Sequence, residues 1–221
     1  MYVNIGIMIG VIIFDLDGTL LYTLEDLKDS VNFALKKYNY DPISLEQTKK
    51  FVGNGVRNLI ERAIPDGEQN INFEECLKTF KTDYSENMFN KTKPYDGVLK
   101  VLEKIKNMGI KTAVVSNKFD SAAKELCKRY FGNLIDIVVG QSDSIPQKPS
   151  PESILKVIKY FGYDAENCIY VGDSEVDIQT AKNAGIPCIS VMWGYRDKET
   201  LEKAGAKTII NKPEEILGLL V

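Results

Sequence analysis

Short apolar runs alternate with amphipathic stretches through the second half of the chain. Lys111 to Val115, Asp136 to Val139, Cys168 to Val171, Pro187 to Val191 and Thr208 to Ile210 have the length and β-branched content of strands. Between them, Pro151 to Phe161 and Ile178 to Ala184 carry apolar residues at helical spacing. Pro213 to Leu220 would close the chain as a helix with proline in its first turn. Strands apolar on both faces and alternating with helices predict a Rossmann-like α/β core, a parallel sheet with helices on both faces. Ile9 to Phe14, which stops at Asp15, would be its first strand.

Residues 22–91 have a different rhythm. Thr23 with Asp26 reads as a capping box, followed by Leu24, Leu27, Val31, Leu35 and Tyr38 at helical spacing. Ser44 with Gln47 reads as a second box, opening a helix to Val52. Gly53-Asn54-Gly55 breaks that helix, and Val56 to Ile64 resumes until Pro65 to Gly67. Phe73, Cys76, Leu77, Phe80, Tyr84 and Met88 make one more stripe, and no segment here has a strand pattern. The expected organisation is a core of residues 1–21 and 92–221, with an α-helical cap of residues 22–91 inserted after the first strand. The chain re-enters the core near Pro94-Tyr95-Asp96-Gly97.

Composition narrows the function. A chain of 221 residues buries a core without a disulfide or metal staple. Lys plus Arg is 28 against 31 for Asp plus Glu, so the basic excess of a nucleic-acid binder is missing. The apolar start up to Phe14 is shorter than the ~20 residues of a membrane span. It also lacks the basic opening of a secretory leader, the first basic residue being Lys28; Met1 and Met8 both offer a start. Cys76, Cys127, Cys168 and Cys188 form no CxxC pair and read as buried reduced thiols of a cytoplasmic protein. There is no histidine. That excludes Ser-His-Asp and Cys-His hydrolases, phosphohistidine enzymes and His-ligated zinc, and leaves acid–base work to carboxylates, Lys, Tyr or Cys.

Four segments carry candidate chemistry. Asp15-Leu16-Asp17-Gly18-Thr19 follows the first apolar run, where α/β sheets bind ligands. Two carboxylates together call for a cation or phosphate chemistry, and Gly18 permits a sharp turn; the same residues also serve as a solvated strand-end turn. Gly172-Asp173-Ser174-Glu175-Val176-Asp177 repeats the arrangement after Ile169-Tyr170-Val171 and opens a helix, which an ordinary N-cap would also explain. With the first pair on the same sheet, it points to a hard, oxygen-ligated cation such as magnesium. Ser116-Asn117 ends a third strand with a hydroxyl and an amide fit for a phosphate oxygen, or for a helix cap. Lys148 precedes the proline-started helix, either as a phosphate partner or as a solvated lysine.

In this order the four segments resemble the haloacid dehalogenase-type phosphatase superfamily, and the insert matches its helical cap. Within it, Ser116-Asn117-Lys118, Gly53-Asn54-Gly55 and Trp193-Gly194-Tyr195 resemble the phosphoglycolate phosphatases. The resemblance implies a magnesium-dependent phosphatase acting on a small phosphorylated metabolite through an aspartyl phosphate. Asp15 would be the nucleophile and Asp17 the acid–base, protonated at the start. Metal ligands would be Asp15 and Asp173 through carboxylates and Asp17 through its backbone carbonyl. Asp177 and Ser174 would stand behind them, and Ser116, Asn117 and Lys148 would cradle the phosphoryl group. Gly53, Asn54 and Gly55 would approach the leaving group, with Arg57 either meeting a substrate carboxylate or lying solvated on a cap helix. Trp193 is expected to pack rather than touch substrate. A pyrophosphatase or phosphohexose mutase of the same superfamily shares the core residues, and the assembly would be a monomer or homodimer.

Overall fold

The computed structural model describes residues 9–220, so the choice between Met1 and Met8 lies outside the described residues. The elements run β1 (Val11–Phe14), β2 (Leu21–Tyr22), α1 (Leu24–Lys37), α2 (Leu45–Phe51), α3 (Gly55–Ala63), α4 (Phe73–Asn87) and β3 (Lys93–Pro94). They continue with α5 (Val98–Asn107), β4 (Lys111–Phe119), α6 (Asp120–Phe131), β5 (Ile137–Gln141), α7 (Glu152–Phe161) and β6 (Cys168–Gly172). The chain closes with α8 (Glu175–Ala184), β7 (Cys188–Val191), α9 (Lys198–Lys203), β8 (Thr208–Ile210) and a 3-10 turn, Pro213–Leu219, in place of the expected α-helix.

Six strands form one parallel sheet in the order β5-β4-β1-β6-β7-β8. The alternation of β1 shows why it is central. Ile12 and Phe14 face one apolar layer with α5 and α6, while Val11 and Ile13 face another with α7 and α8. All four are buried, and each contributes roughly 1.5–3 kcal/mol of transfer free energy. β4 runs past the expected Val115 to Phe119, with a register break against β5 between those residues. Ser116, Asn117 and Lys118 therefore lie at an irregular strand end rather than beyond it.

α1 to α4 pack on one another through Leu27, Val31, Leu35, Phe73, Cys76, Leu77, Phe80 and Tyr84, and this layer is continuous with the Ile12–Phe14 side of the sheet. The Ser44–Gln47 capping box forms as expected. The Thr23–Asp26 box does not. The Asp26 carboxylate instead accepts from the backbone N–H of Lys91 and Thr92, and the Thr23 hydroxyl donates to Asp17. Asp26 thus pins the returning chain, a use that local spacing does not reveal. A further correction is the short ribbon at the root of the helical insert, where Leu21 pairs with Pro94 and Tyr22 with Lys93. Two-residue strands are too short to leave a periodic signal.

Candidate active site

The sheet order brings the carboxyl ends of β1, β4 and β6 side by side, at the point where the chain crosses from one half of the sheet to the other. Asp15 follows β1 and its N–H donates to Val171 O of β6 at 2.9 Å. Ser116 lies on β4 and Asp173 follows β6.

Asp15, Lys148 and Asp177 form a buried chain of charge. The Lys148 ammonium lies 3.0 Å from Asp15 Oδ1 and 2.7 Å from Asp177 Oδ1, and donates to Tyr170 Oη at 2.9 Å. Asp177 is saturated: it also accepts from the Tyr170 hydroxyl, the Ser174 hydroxyl and the N–H groups of Asp173 and Ser174. Ser174 caps α8, with its hydroxyl accepting from Asp177 N. Burial alone would favour neutral Lys148, but the two aspartates outweigh it and hold the ammonium above its usual range. Burial pushes Asp15 up to about 7, offset in part by Lys148 and reinforced by Asp177. Asp173 rises to about 8 for the same first reason, with Asp177 and Asp15 adding repulsion. Oxygens of Asp15, Asp173 and Asp177 come within 4.8 Å of one another.

Asp17 is held separately. Its carboxylate accepts from Thr23 Oγ1 at 2.7 Å and pairs with the Lys118 ammonium at 3.1 Å through both oxygens. The Tyr195 hydroxyl accepts from Thr23 N and shares a hydrogen bond with the Thr23 hydroxyl, while Tyr195 N donates to Asp173 at 2.7 Å. Lys118 is buried and its ammonium sits 4.5 Å from the centroid of the Tyr84 ring of α4, a cation–π contact. Thr19 Oγ1 gives Asp173 a second donor at 3.2 Å. Gly18, at φ +84°, lies so close beneath Asp173 that a Cβ there would fall 2.5 Å from its carboxylate. Trp193 Nε1 donates to Thr19 O and the ring packs in the apolar layer, the packing role expected of it.

A cavity separates this floor from the helical insert. Asp15, Asp17, Ser116, Lys118, Asp173 and Ser174 line it from the core, and Leu27, Val52, Gly53, Gly55, Val56 and Leu59 line it from the insert. Ser116 Oγ accepts from Lys118 N, which orients the hydroxyl. Asn117 also borders the cavity, but its side chain is occupied. Nδ2 donates to Gly53 O and Lys148 O, and Oδ1 accepts from Lys148 N at 2.7 Å. The side chain thus buckles three segments together. Asn54 is not on the cavity wall; its Oδ1 accepts from Arg62 and its carbonyl from Asn58. Arg57 is likewise directed elsewhere, paired with Glu68 at 2.5 Å and Glu74 at 2.9 Å and stacked on Phe73. Two residues along a helix turn a side chain by roughly 200°, so a position close to Gly55 in sequence lies on the opposite face of α3. Arg57 therefore does not reach the cavity.

The cationic side chains that do line the cavity, among the described residues, are Lys118 and Arg196. Arg196 Nε and Nη2 pair with Glu175, while Nη1 and Nη2 donate to Lys49 O and Val52 O of the insert. Neither was assigned a contact by the sequence pattern. Lys118 carried one usable signal, its place beside Ser116-Asn117; Arg196 carried none.

All four cysteines are free, and burial raises the thiols of Cys76 and Cys168 to about 11 and Cys127 to about 12. Among the described residues no helix is long and apolar enough to cross a membrane.

Comparison with known proteins agrees with this geometry. Residues 12–191 match the family model of the haloacid dehalogenase-like hydrolases. A phosphoglycolate phosphatase of Mesorhizobium japonicum is 34% identical over 200 residues, covering 87% of this chain and 86% of its own. One of Aquifex aeolicus is 34% identical over 186 residues, covering 84% and 85%. A crystal structure from Lactobacillus delbrueckii subsp. bulgaricus superposes with a TM-score of 0.92 at 31% identity, over 97% of this chain and 99% of its own. With the aspartates of β1 and β6 gathered beneath a helical insert, and most of the chain matched, the protein belongs to the haloacid dehalogenase-like hydrolase family.

Proposed function

We propose that the protein is a magnesium-dependent phosphatase of small phosphorylated acids, phosphoglycolate first among them. The observation that carries the chemistry is the separation of two carboxylates on one cavity floor. Asp15 is tied to Lys148, whereas Asp17 is held by Thr23 and Lys118. Asp15 attacks phosphorus and the alkoxide leaves with a proton from Asp17, giving an aspartyl phosphate. Asp17 then takes a proton from the water that hydrolyses this intermediate. Ser116 and Lys148 spread charge on the transferring phosphoryl oxygens. Leu27, Val52, Val56 and Leu59 make an apolar roof that excludes bulk water. The proton that Asp17 takes from this water is the one it gives to the next leaving group, so the two steps close the cycle.

Asp15 and Asp173 fit a hard divalent cation, because both are all-oxygen donors whose negative charge is costly without one. Magnesium would be held by these two carboxylates and the Asp17 carbonyl, and when bound it neutralises phosphate charge. Asp177, already saturated, would support Lys148 and the Asp173 and Ser174 amides rather than ligate. The substrate reading rests on the relatives' names and on the small space between the core and the insert. Gly53 and Gly55 border that space with backbone alone. The four free thiols, three of them buried, support a reducing, cytoplasmic location.

The test is phosphate release from phosphoglycolate, other small phosphorylated acids, hexose phosphates and pyrophosphate, with magnesium or with chelator, for wild type and Asp15→Asn. The expected result is magnesium-dependent release, greatest with phosphoglycolate and abolished by the substitution. Interconversion of hexose phosphates would indicate a mutase, and preference for pyrophosphate a pyrophosphatase. Turnover by Asp15→Asn would overturn the nucleophile.

A further inference from the structure

Beside the cavity, donors from the core meet backbone acceptors of the insert. Arg196 belongs to the segment after β7, and its side chain is only 13% exposed. Its Nη1 donates to Lys49 O at 3.0 Å and its Nη2 to Val52 O at 2.9 Å. These carbonyls belong to the last turn of α2 and its cap, where backbone oxygens lose their helical partners and carry the negative end of the helix dipole. On the core side, Glu175 in the first turn of α8 takes the Nε edge of the same guanidinium at 2.9 Å. The fork is thus oriented by the core while it grips the insert. Asn117, fixed to Lys148 by two hydrogen bonds, donates to Gly53 O at 3.1 Å. Core donors therefore seize the carbonyls of residues 49, 52 and 53 where the chain enters the cavity wall at Val52, Gly53, Gly55 and Val56.

Resting on the phosphatase reading above, we infer that Arg196, oriented by Glu175, is a positioning residue that latches the 49–55 segment of the insert over Asp15 and Asp17. The guanidinium acts on backbone, so its effect does not depend on the leaving group. A receptor for a substrate carboxylate would differ on that point. The fork geometry matters as well. A lysine ammonium is a point charge that cannot span Glu175 and two carbonyls in one plane. Arg196→Lys should therefore recover only part of the function. Loss of charge-assisted hydrogen bonds to two carbonyls corresponds to about 10–100-fold.

The test compares wild type with Arg196→Ala, Arg196→Lys and Glu175→Gln by hydrogen exchange and by kinetics. The expected result is faster amide exchange in residues 45–60, with unchanged exchange in β1, β4 and β6. It is accompanied by a roughly 10–100-fold fall in kcat/KM for Arg196→Ala with both phosphoglycolate and an aryl phosphate, and by smaller falls for the other two variants. Unchanged exchange in 45–60 overturns the latch, whatever the activity. A fall confined to phosphoglycolate also overturns it, since Arg196 would then be a carboxylate receptor. If Arg196→Ala loosens the whole chain, Glu175→Gln must still show local exchange in 45–60, and its failure to do so counts against the proposal. Exchange needs no substrate, so a wild type inactive on every phosphate would refute the phosphatase reading while leaving the latch to be judged by exchange.

Discussion

Asp173→Asn should stabilise the metal-free protein while removing its activity. In the folded state Asp173 titrates at about 8, chiefly because it is buried, against an ordinary 3.8. The folded value lies above the unfolded one, so the folded state holds a proton that the unfolded chain releases between these limits. Stability from this group is therefore fully present below about pH 4 and declines as pH rises towards 8. At pH 7 the unfolded carboxyl has gained about 4 kcal/mol by ionising, at 1.36 kcal/mol per pKa unit. An asparagine cannot make that gain when it unfolds. Its amide oxygen accepts from either Thr19 or Tyr195 N, but its NH2 then faces the other donor, which costs about 1–2 kcal/mol. The net stabilisation is about 2–3 kcal/mol, or about 4–12 °C in Tm for a chain of this size. Thermal melts by circular dichroism in chelator at pH 5, 6, 7 and 8 would measure it. The gain should grow with pH across this series, and magnesium should narrow it by stabilising only the wild type. A variant that melts lower than wild type at pH 7, or a gain independent of pH, would refute the reasoning.

Three further outcomes follow from the same site. Chelator should abolish turnover and magnesium restore it, while calcium inhibits because its larger and looser shell misplaces the nucleophile; a phosphate-release assay in each metal checks this. Lys148→Met should leave Asp15 and Asp177 without the cation they share, lowering stability by about 3–5 kcal/mol at pH 7 by denaturant titration and eliminating turnover. Arg57→Ala should leave kcat/KM for phosphoglycolate and for an aryl phosphate unchanged within twofold, and stability within about 1 kcal/mol, because its pairs with Glu68 and Glu74 are exposed.

The sheet was legible because β1, β4 and β6 are buried on both faces and hence spelled as apolar runs. The site residues Asp15, Asp17 and Asp173 were legible because each follows such a run, and their order along the chain carried the family resemblance. What escaped was contact between distant segments. Thr23 looked like a helix cap because Asp26 stands three residues on, yet its hydroxyl serves Asp17 and Asp26 serves the returning backbone. Lys118 and Tyr195 matter through Asp17 and Asp173, partners far away in sequence. For Arg57 two readings stayed open, because nearness to a glycine turn says nothing of direction around α3. Its two glutamates return beside it only after the chain reverses at Pro65 to Gly67. Asn117 has the chemistry of a phosphate donor, and only the fold shows that its amide is already occupied on both sides.

The β2–β3 ribbon has an evolutionary consequence. The chain leaves the core at Tyr22 and returns at Lys93, and these two residues are register partners. Departure and return thus occur at one spot, beyond the end of β1, and the six-stranded sheet is threaded as though nothing intervened. A lineage can lengthen, shorten or replace everything between those partners without altering a single pairing of the large sheet. The surroundings of Asp15 in β1, β4 and β6 are then inherited as one unit, and the roof above them can diverge at its own rate. New substrates become accessible through changes in a segment whose failure need not unfold the machinery beneath it.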